Sequence, residues 1–333
     1  MNRKTDMRLT SAEMSNLWSQ YINDSALKHV INYFLAHVDD EEVRSILVKA
    51  LKSANQHIDF LIEFFNREGF PTPIGFTEND VNAEAPRLFS DIFYLYYLSH
   101  MSIIGMQSGG LAISTVSRED IVQFFKNVTQ DATVLNCDIK KMMQEKGIHN
   151  RPPYIPIPKE AKFVRDQDYL GKMFGKQRVI NSVELTHIFL NIQTNTIGNS
   201  LIVAFAQVCQ SEEVLGYFVR GKEISQKHKM VFSQILETND IPSPSMWDTA
   251  VMDSTVSPFS DKLMLFQITA MSAAGIGNYG VALAASPRRD IGLKYARLLT
   301  EISLYAEDGA NIMIKNGWLE EPPQAPDRDE LIK

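Results

Sequence analysis

Histidines and carboxylates at helical spacing are the residues of this chain that could do chemistry. A carboxylate-bridged pair of iron ions in a four-helix bundle needs a Glu from each of two helices and Glu-x-x-His from each of the other two. His57 and His228 stand at the His position of such a motif, but Ala54 and Ser225 stand at its Glu position. Only the segment 184–187, Glu-Leu-Thr-His, has the full spacing. The dinuclear motif is therefore broken.

Polar side chains nevertheless fall on the apolar stripes of the predicted helices. His57 is seven residues from both Ala50 and Phe64, and Asp131 follows Val128 on a later apolar seam. Buried acids are rare unless they are paired or bind a metal. The candidate metal ligands are the residues expected at one depth in each core: His57, His100 and Asp131 in the first half, and His228 and Glu301 in the second.

Two interpretations of these core residues stay open. One is a degenerate or mononuclear site for iron or another transition metal. The other is a buried His–carboxylate hydrogen bond that fixes helix register. The remaining acids have simpler explanations. Glu13 and Glu184 are expected to cap helices, and ion pairs or helix ends are expected to hold a second set: Asp91, Asp138, Asp261 and Asp308.

Glycines cluster on the third predicted helix of each half. Gly105 and Gly109-Gly110 lie on this helix in the first half, and Gly275, Gly277 and Gly280 in the second. Such residues permit close helix–helix contact, and the alternative is a groove that carries a small ligand. No strand precedes them, so they do not form a phosphate-binding loop.

The chain repeats itself. Shifted by 171 residues, Glu13–Phe76 aligns with Glu184–Trp247 without a gap, and shifted by 170 residues, Phe89–Pro153 aligns with Phe259–Pro323. The period is far too long for a solenoid, so each half is predicted to be a domain.

Each half has four stretches of apolar residues at three- and four-residue spacing, which predicts four helices. A connection of about 17 residues separates the second and third helices of the first half. At about 3.3 Å per residue it can run the length of a helix of about 40 Å. The prediction is all-α: two tandem ferritin-like four-helix bundles, each with one long crossover between helices 2 and 3.

Proline and glycine mark the domain boundaries. The predicted domains are residues 8–150 and 181–323, with a proline-containing linker at 151–180 and a tail at 324–333. Pro-Thr-Pro and Pro-Ser-Pro stiffen the two crossovers, which Phe76 and Trp247 are expected to pin. Ser257-Pro258 and Ser286-Pro287 are expected to begin helices.

Composition excludes several classes of protein. The net charge of −7 argues against a nucleic-acid partner. The apolar run 89–106 is interrupted by polar residues, so it predicts a buried bundle helix and no membrane span. The chain opens without an apolar signal segment and has two cysteines, which favours a reducing, cytoplasmic setting.

The duplicated unit, the core His of the second helix, the crossover prolines and the Phe-Ser-Asp start of the third helix together resemble a known group. It consists of tandem ferritin-like proteins from Bacillus-type, spore-forming bacteria, and it is similar to the coat protein F family. The resemblance covers nearly the whole chain outside the linker and tails. It implies two ferritin-like domains and an association with sporulation, and it implies no activity.

Three functions follow from the sequence as hypotheses. The first is a non-catalytic structural or interaction protein, spore-associated, that binds a protein partner or forms a homo-oligomer. The second is a metal-binding bundle or oxidoreductase that uses the core His and carboxylates. The third is a carrier of a small ligand.

Overall fold

The computed structural model describes residues 7–171, 177–244 and 250–332 of the chain. This part of the chain is helical and contains no β-strand, which confirms the all-α class. Its helices are α1 Ser11–His37, α2 Glu41–Glu68, α3 Asp91–Thr115, α4 Glu119–Glu145, α5 Ser182–Val208, α6 Glu212–Glu237, α7 Asp261–Ala285, α8 Arg289–Lys315 and α9 Arg328–Leu331. Helices α1–α4 and α5–α8 correspond to the two sequence repeats.

The chain forms two compact units. The first consists of Met1–Ala85, Tyr94–Met142 and Gly317–Lys333, and the second of Pro86–Phe93 and Met143–Asn316. The units therefore follow the repeats except for three short segments. Residues 86–93, which include the start of α3, and the residues from Met143 at the end of α4 group with the second unit, and the residues after α8 group with the first.

Each unit has its own helical core. In the second unit, α5 packs against α6 and α7, and α8 packs against the same two helices, so the four helices form a closed ring. In the first unit, buried residues from α1, α2, α3 and α4 meet in one cluster that includes Leu17, Leu61, Ala112 and Phe124.

Connection lengths repeat between the two halves. Three residues separate α1 from α2 and α3 from α4, whereas residues 69–90 join α2 to α3 and residues 238–260 join α6 to α7. The side chain of Phe76 is buried, and its backbone N–H donates to Ser25 Oγ at 3.2 Å. Phe76 thus fastens the first long connection to α1. Trp247 lies outside the described residues.

Helix ends agree with the sequence in part. Thr10 with Glu13, and Asn181 with Glu184, form the predicted capping boxes. Gly147 and Gly317 follow the last helices of the repeats with φ of +69° and +67°, a conformation that favours glycine. The Ser-Pro pairs do not begin helices, because α7 and α8 start at Asp261 and Arg289.

The start of α8 shows why a Ser-Pro cap is dispensable there. Its N-cap residue, Arg288, makes no side-chain cap. Instead, the buried carboxylate of Glu184 on α5 accepts the backbone N–H of Arg288 at 3.1 Å. Glu13 on α1 accepts the N–H of Arg118, just before α4, in the same way at 2.9 Å. One capping glutamate in each repeat therefore serves two helices.

Helix α7 is long and apolar enough to cross a membrane on length and composition alone, with a mean hydropathy of 1.2 over 18 residues. This is weak evidence, because a core helix of a bundle passes the same test. In the structure α7 contributes fully buried residues, among them Leu263, Leu265 and Tyr279, to the second unit.

Candidate functional site

The core of the first unit holds an imidazole between two carboxylates. His57 on α2 places Nδ1 at 3.3 Å from Asp24 Oδ2 on α1 and Nε2 at 3.2 Å from Asp131 Oδ2 on α4. The side chains of His57 and Asp24 are 11% and 8% exposed, whereas that of Asp131 is 41% exposed. Gln20 donates to the same Asp24 oxygen at 2.8 Å, and the ring of Phe124 meets the imidazole edge-on.

This surrounding favours the charged imidazolium. Burial alone lowers the pKa of His57, but the effects of Asp24, followed by those of Asp131, outweigh it and raise the pKa above its ordinary value. Nε2 makes a hydrogen bond with Asp131, whereas Nδ1 lies at ion-pair distance from Asp24 without hydrogen-bond geometry. His57 therefore links three helices through a carboxyl group at each ring nitrogen, an arrangement that favours the protonated ring.

The core of the second unit holds the equivalent imidazole in a different network. His228 on α6 is fully buried, with Nδ1 at 2.9 Å from Tyr279 Oη on α7 and Nε2 at 3.1 Å from Glu301 Oε2 on α8. Asn195 on α5 donates to the Tyr279 hydroxyl at 2.8 Å. Lys227 binds the other oxygen of Glu301 at 2.7 Å.

This second network favours a neutral imidazole. Burial lowers the pKa of His228 more than the hydrogen bond and charge of Glu301 raise it. The neutral ring donates from Nε2 to Glu301 and accepts at Nδ1 from the Tyr279 hydroxyl, whose own oxygen accepts from Asn195. Burial is the largest single effect on Glu301 and raises its pKa. The hydrogen bonds and charges of Lys227 and His228 act in the opposite direction, and together they lower the pKa below its ordinary value.

One aligned position accounts for much of this contrast. Asp24 aligns with Asn195 in the repeat, so a buried carboxylate of the first core is replaced by an amide in the second. Tyr279, which aligns with Gly109, supplies the hydroxyl that reaches the imidazole instead. The repeats have kept the histidine, and their surroundings shift its pKa in opposite directions.

The structure brings together four of the five candidate ligands, as the pairs His57–Asp131 and His228–Glu301. The fifth, His100 on α3, makes no hydrogen bond or ion pair with His57 or Asp131 among the described residues. Its Nε2 has no hydrogen-bond partner there, and complete burial lowers its pKa to about 4.

Asp24 is a functional residue that the sequence did not single out. It lies seven residues from Leu17 and from Ile31, both of which are fully buried on α1. The same seven-residue spacing from apolar residues placed His57 on a buried stripe, and it could have identified Asp24 from the sequence. A buried acid on the stripe of α1 completes the contacts of the imidazole.

The donor sets fit a hydrogen-bonded core better than a metal. Among the described residues there is no group of three or more His, Cys, Asp and Glu side chains placed to hold a metal ion. A metal binds the lone pair of a neutral imidazole nitrogen. In His57 both nitrogens face carboxylates, and in His228 the Nδ1 lone pair is aimed at a hydroxyl.

The other repeated acids have partners in the structure. Asp138 pairs with Lys49, and Asp308 with Arg220 at 2.6 Å. Asp91 pairs with Arg87 at 2.5 Å, and Asp261 accepts the backbone N–H groups at the start of α6. These are the structural pairings that the sequence predicts.

A second polar cluster in the first unit surrounds Arg118, whose side chain is 1% exposed. Its guanidinium binds both oxygens of Glu68, at 2.8 and 2.9 Å, and both oxygens of Asp120, at 2.7 and 3.0 Å. It also stacks over the ring of Phe64 at 5.0 Å. Its fifth N–H donates to the Met7 carbonyl at 3.3 Å, so all five donors are used within the protein and this arginine joins α2 to the start of α4.

Fold and site together define a tandem helical protein in which the second helix of each repeat carries a buried histidine that bonds a carboxylate on the fourth helix. A family model described as "Protein of unknown function (DUF3231)" matches residues 2–160 and again residues 169–331. The chain therefore belongs to this family and carries its unit twice.

Among solved structures, the crystal structure of a "putative spore coat protein" from Bacillus halodurans C-125 aligns with a TM-score of 0.42 and 19% identity. The alignment covers 46% of this chain and 99% of that chain. Curated proteins give no significant match.

Proposed function

We propose that this protein has a non-catalytic structural or interaction role, and that hydrogen-bonded polar cores take the place of metal sites in its two bundles. One observation carries the proposal: both ring nitrogens of His57 and both of His228, the histidines at equivalent positions of the two repeats, lie 2.9–3.3 Å from a side-chain oxygen of the protein. A ring that is engaged on both sides joins helices and leaves no lone pair for a metal or for proton transfer to a substrate.

The ferritin-like arrangement of the helices is part of this proposal. Three-residue connections between α1 and α2 and between α3 and α4 favour antiparallel pairs, and the long segment 69–90 has the length needed to return along the bundle. The same pattern in α5–α8 supports it. One long crossover per bundle is the ferritin-like topology.

Association with the spore is the biological part of the proposal. It rests on the sequence motifs that resemble the coat protein F group. The linker also offers exposed apolar side chains to a partner, with Tyr154, Ile157 and Phe163 each more than 80% exposed. Immunoblots of mother-cell and purified spore fractions of the source organism test this part: absence of the protein from spores would remove it.

A metal assay tests the chemical part. The full chain is purified without chelator, exposed to Fe²⁺, Mn²⁺ or Zn²⁺, desalted and analysed by plasma mass spectrometry. We expect substoichiometric metal, with His57→Gln and His228→Gln reducing stability and leaving the metal content unchanged. His187→Gln is the matched control, because it removes the one histidine that has a full Glu-x-x-His spacing.

Metal binding remains the alternative prediction for His57, His100, Asp131, His228 and Glu301. Stoichiometric, tightly held iron that is lost in the two core variants and kept in the His187 variant would establish that alternative and overturn the proposal.

A further inference from the structure

A cavity lies in the core of the second bundle, where helices α5, α6, α7 and α8 meet. It is partly open to solvent, and the space open to water-sized molecules is about 60 Å³. A water needs roughly 10–15 Å³ on this measure, so the cavity has room for roughly four to six non-hydrogen atoms. Most of the wall is apolar: Ile202, Ile224, Ile268, Met271 and Ile302.

Little polar surface faces this cavity. Thr194 on α5 belongs to its lining, but its Oγ1 is almost fully enclosed and makes no hydrogen bond among the described residues. A molecule in the cavity therefore meets mainly carbon atoms, and the cavity favours an apolar ligand.

The lining of the cavity carries no formal charge. No acidic or basic side chain other than His228 contributes to it, and burial lowers the pKa of that imidazole. The Tyr279 and Tyr305 hydroxyls stay protonated, because burial raises the pKa of both phenols. An ionic ligand would be desolvated here without a counter-charge, so the cavity selects against ions.

The sequence repeat shows that the cavity belongs to the second bundle by composition. Gly198, which lines it, aligns with Leu27 of the first repeat, so the four side-chain carbon atoms of that leucine are missing here. Gly221 also lines the cavity, but the Tyr305 hydroxyl occupies the space where its Cβ would lie.

We propose that this cavity binds a small, neutral and mainly apolar organic molecule of about four to six non-hydrogen atoms, such as cyclopentane or 2-butanone. The apolar wall contacts the carbon atoms of the ligand. His228 and Tyr279 also line the cavity, but the structural role proposed for their network stands whether or not a ligand binds.

The test uses the full chain labelled with ¹³C at its methionine and isoleucine methyl groups. It is titrated with 2-butanone and, as a charged probe of the same number of non-hydrogen atoms, with butylammonium chloride. We expect 2-butanone to give saturable shifts of the Met271 methyl with a dissociation constant of ~1 mM, and butylammonium to give none. Shifts that grow linearly with 2-butanone, or equal binding of butylammonium, would overturn the proposal.

Two variants locate the site. Gly198→Leu, which restores the residue of the first repeat, should abolish binding. A Cβ at Gly198 would lie 3.7 Å from Met271 Cε, an ordinary contact, so the backbone tolerates the change. Gly277→Leu, on the exposed face of α7, is the control and should bind 2-butanone as the native chain does.

Cyclopentane, an apolar probe with the same number of non-hydrogen atoms, keeps the test decisive if the leucine variant fails to fold. We expect it to bind the native chain at least as tightly as 2-butanone does. A titration with cyclopentane that gives no saturable shift of the Met271 methyl would overturn the proposal.

Discussion

Replacing Asp24 with asparagine tests whether His57 is held as a cation. The change keeps the size of the side chain and an oxygen that can accept from Nδ1, and it removes one of the two charges that flank the imidazole. Asp131 remains, but its side chain is 41% exposed and is therefore screened by solvent. The pKa of His57 should fall in this variant, because the larger of its two raising partners is lost.

The cost to stability follows from the burial of the pair. Hydrogen bonds to charged groups contribute about 1.5–3 kcal/mol and neutral ones about 0.5–1.5 kcal/mol. The Asp24 carboxylate is almost fully buried, so little of this difference is lost to solvent. We expect Asp24→Asn to lower the free energy of unfolding by about 1–3 kcal/mol at pH 6.

The cost should depend on pH in one direction. A histidine whose folded pKa is raised contributes stability that is complete below its unfolded pKa of about 6.5 and is lost as pH rises through the folded pKa. Above the folded pKa the ring is neutral and cannot donate a hydrogen bond from both nitrogens, so the Asp24 carboxylate stabilises it less. The destabilisation by Asp24→Asn should therefore be smaller at pH 9 than at pH 6.

The assay combines urea unfolding, followed by circular dichroism at both pH values, with ¹H NMR titration of the imidazole Cε1–H signals. The His57 signal is assigned with His57→Gln. Asp59→Asn is the control, since it removes an exposed aspartate from the same helix. Equal destabilisation at pH 6 and pH 9, or an unchanged His57 titration in Asp24→Asn, would refute the cationic bridge.

Three further outcomes are expected from the same unfolding assay. Glu13→Gln should lower the free energy of unfolding by about 1–3 kcal/mol at pH 7. Burial raises the pKa of Glu13, but its hydrogen bonds together lower it, so this loss of stability should shrink as pH falls through the folded pKa. A loss of stability that does not change with pH would contradict this account. Arg118→Lys should cost about 2–4 kcal/mol, because an ammonium cannot bind two carboxylates bidentately, and a neutral result would show that the cluster contributes nothing. Gly221→Ala should destabilise the protein by about 1–3 kcal/mol, because its Cβ would lie 2.1 Å from the Tyr305 hydroxyl oxygen. Gly216→Ala, which has open space around it, should stabilise the protein by up to about 1 kcal/mol. Effects of the same sign in both variants would contradict the packing.

Local signals in the sequence were enough for the helices and for their repetition. Apolar spacing predicted the eight long helices, and Thr10 with Glu13 marked a helix start because a capping box is made within four residues. The prediction that the Ser-Pro pairs begin helices was wrong. At the start of α8 the backbone N–H of Arg288 donates to Glu184, which lies 104 positions away in the chain. A cap supplied by another helix leaves no local pattern.

By itself, the sequence determined that the chain is a duplicated all-α protein with a histidine on an apolar stripe in each half, since periodicity and repetition are properties of residue order. Only the tertiary structure decided that His57 meets two carboxylates while His228 meets a hydroxyl and one carboxylate. The charge of an imidazole depends on groups brought within about 3 Å from other helices and on the water they exclude. Neither the distances to those groups nor the exclusion of water can be predicted from the residue spacing within a single helix.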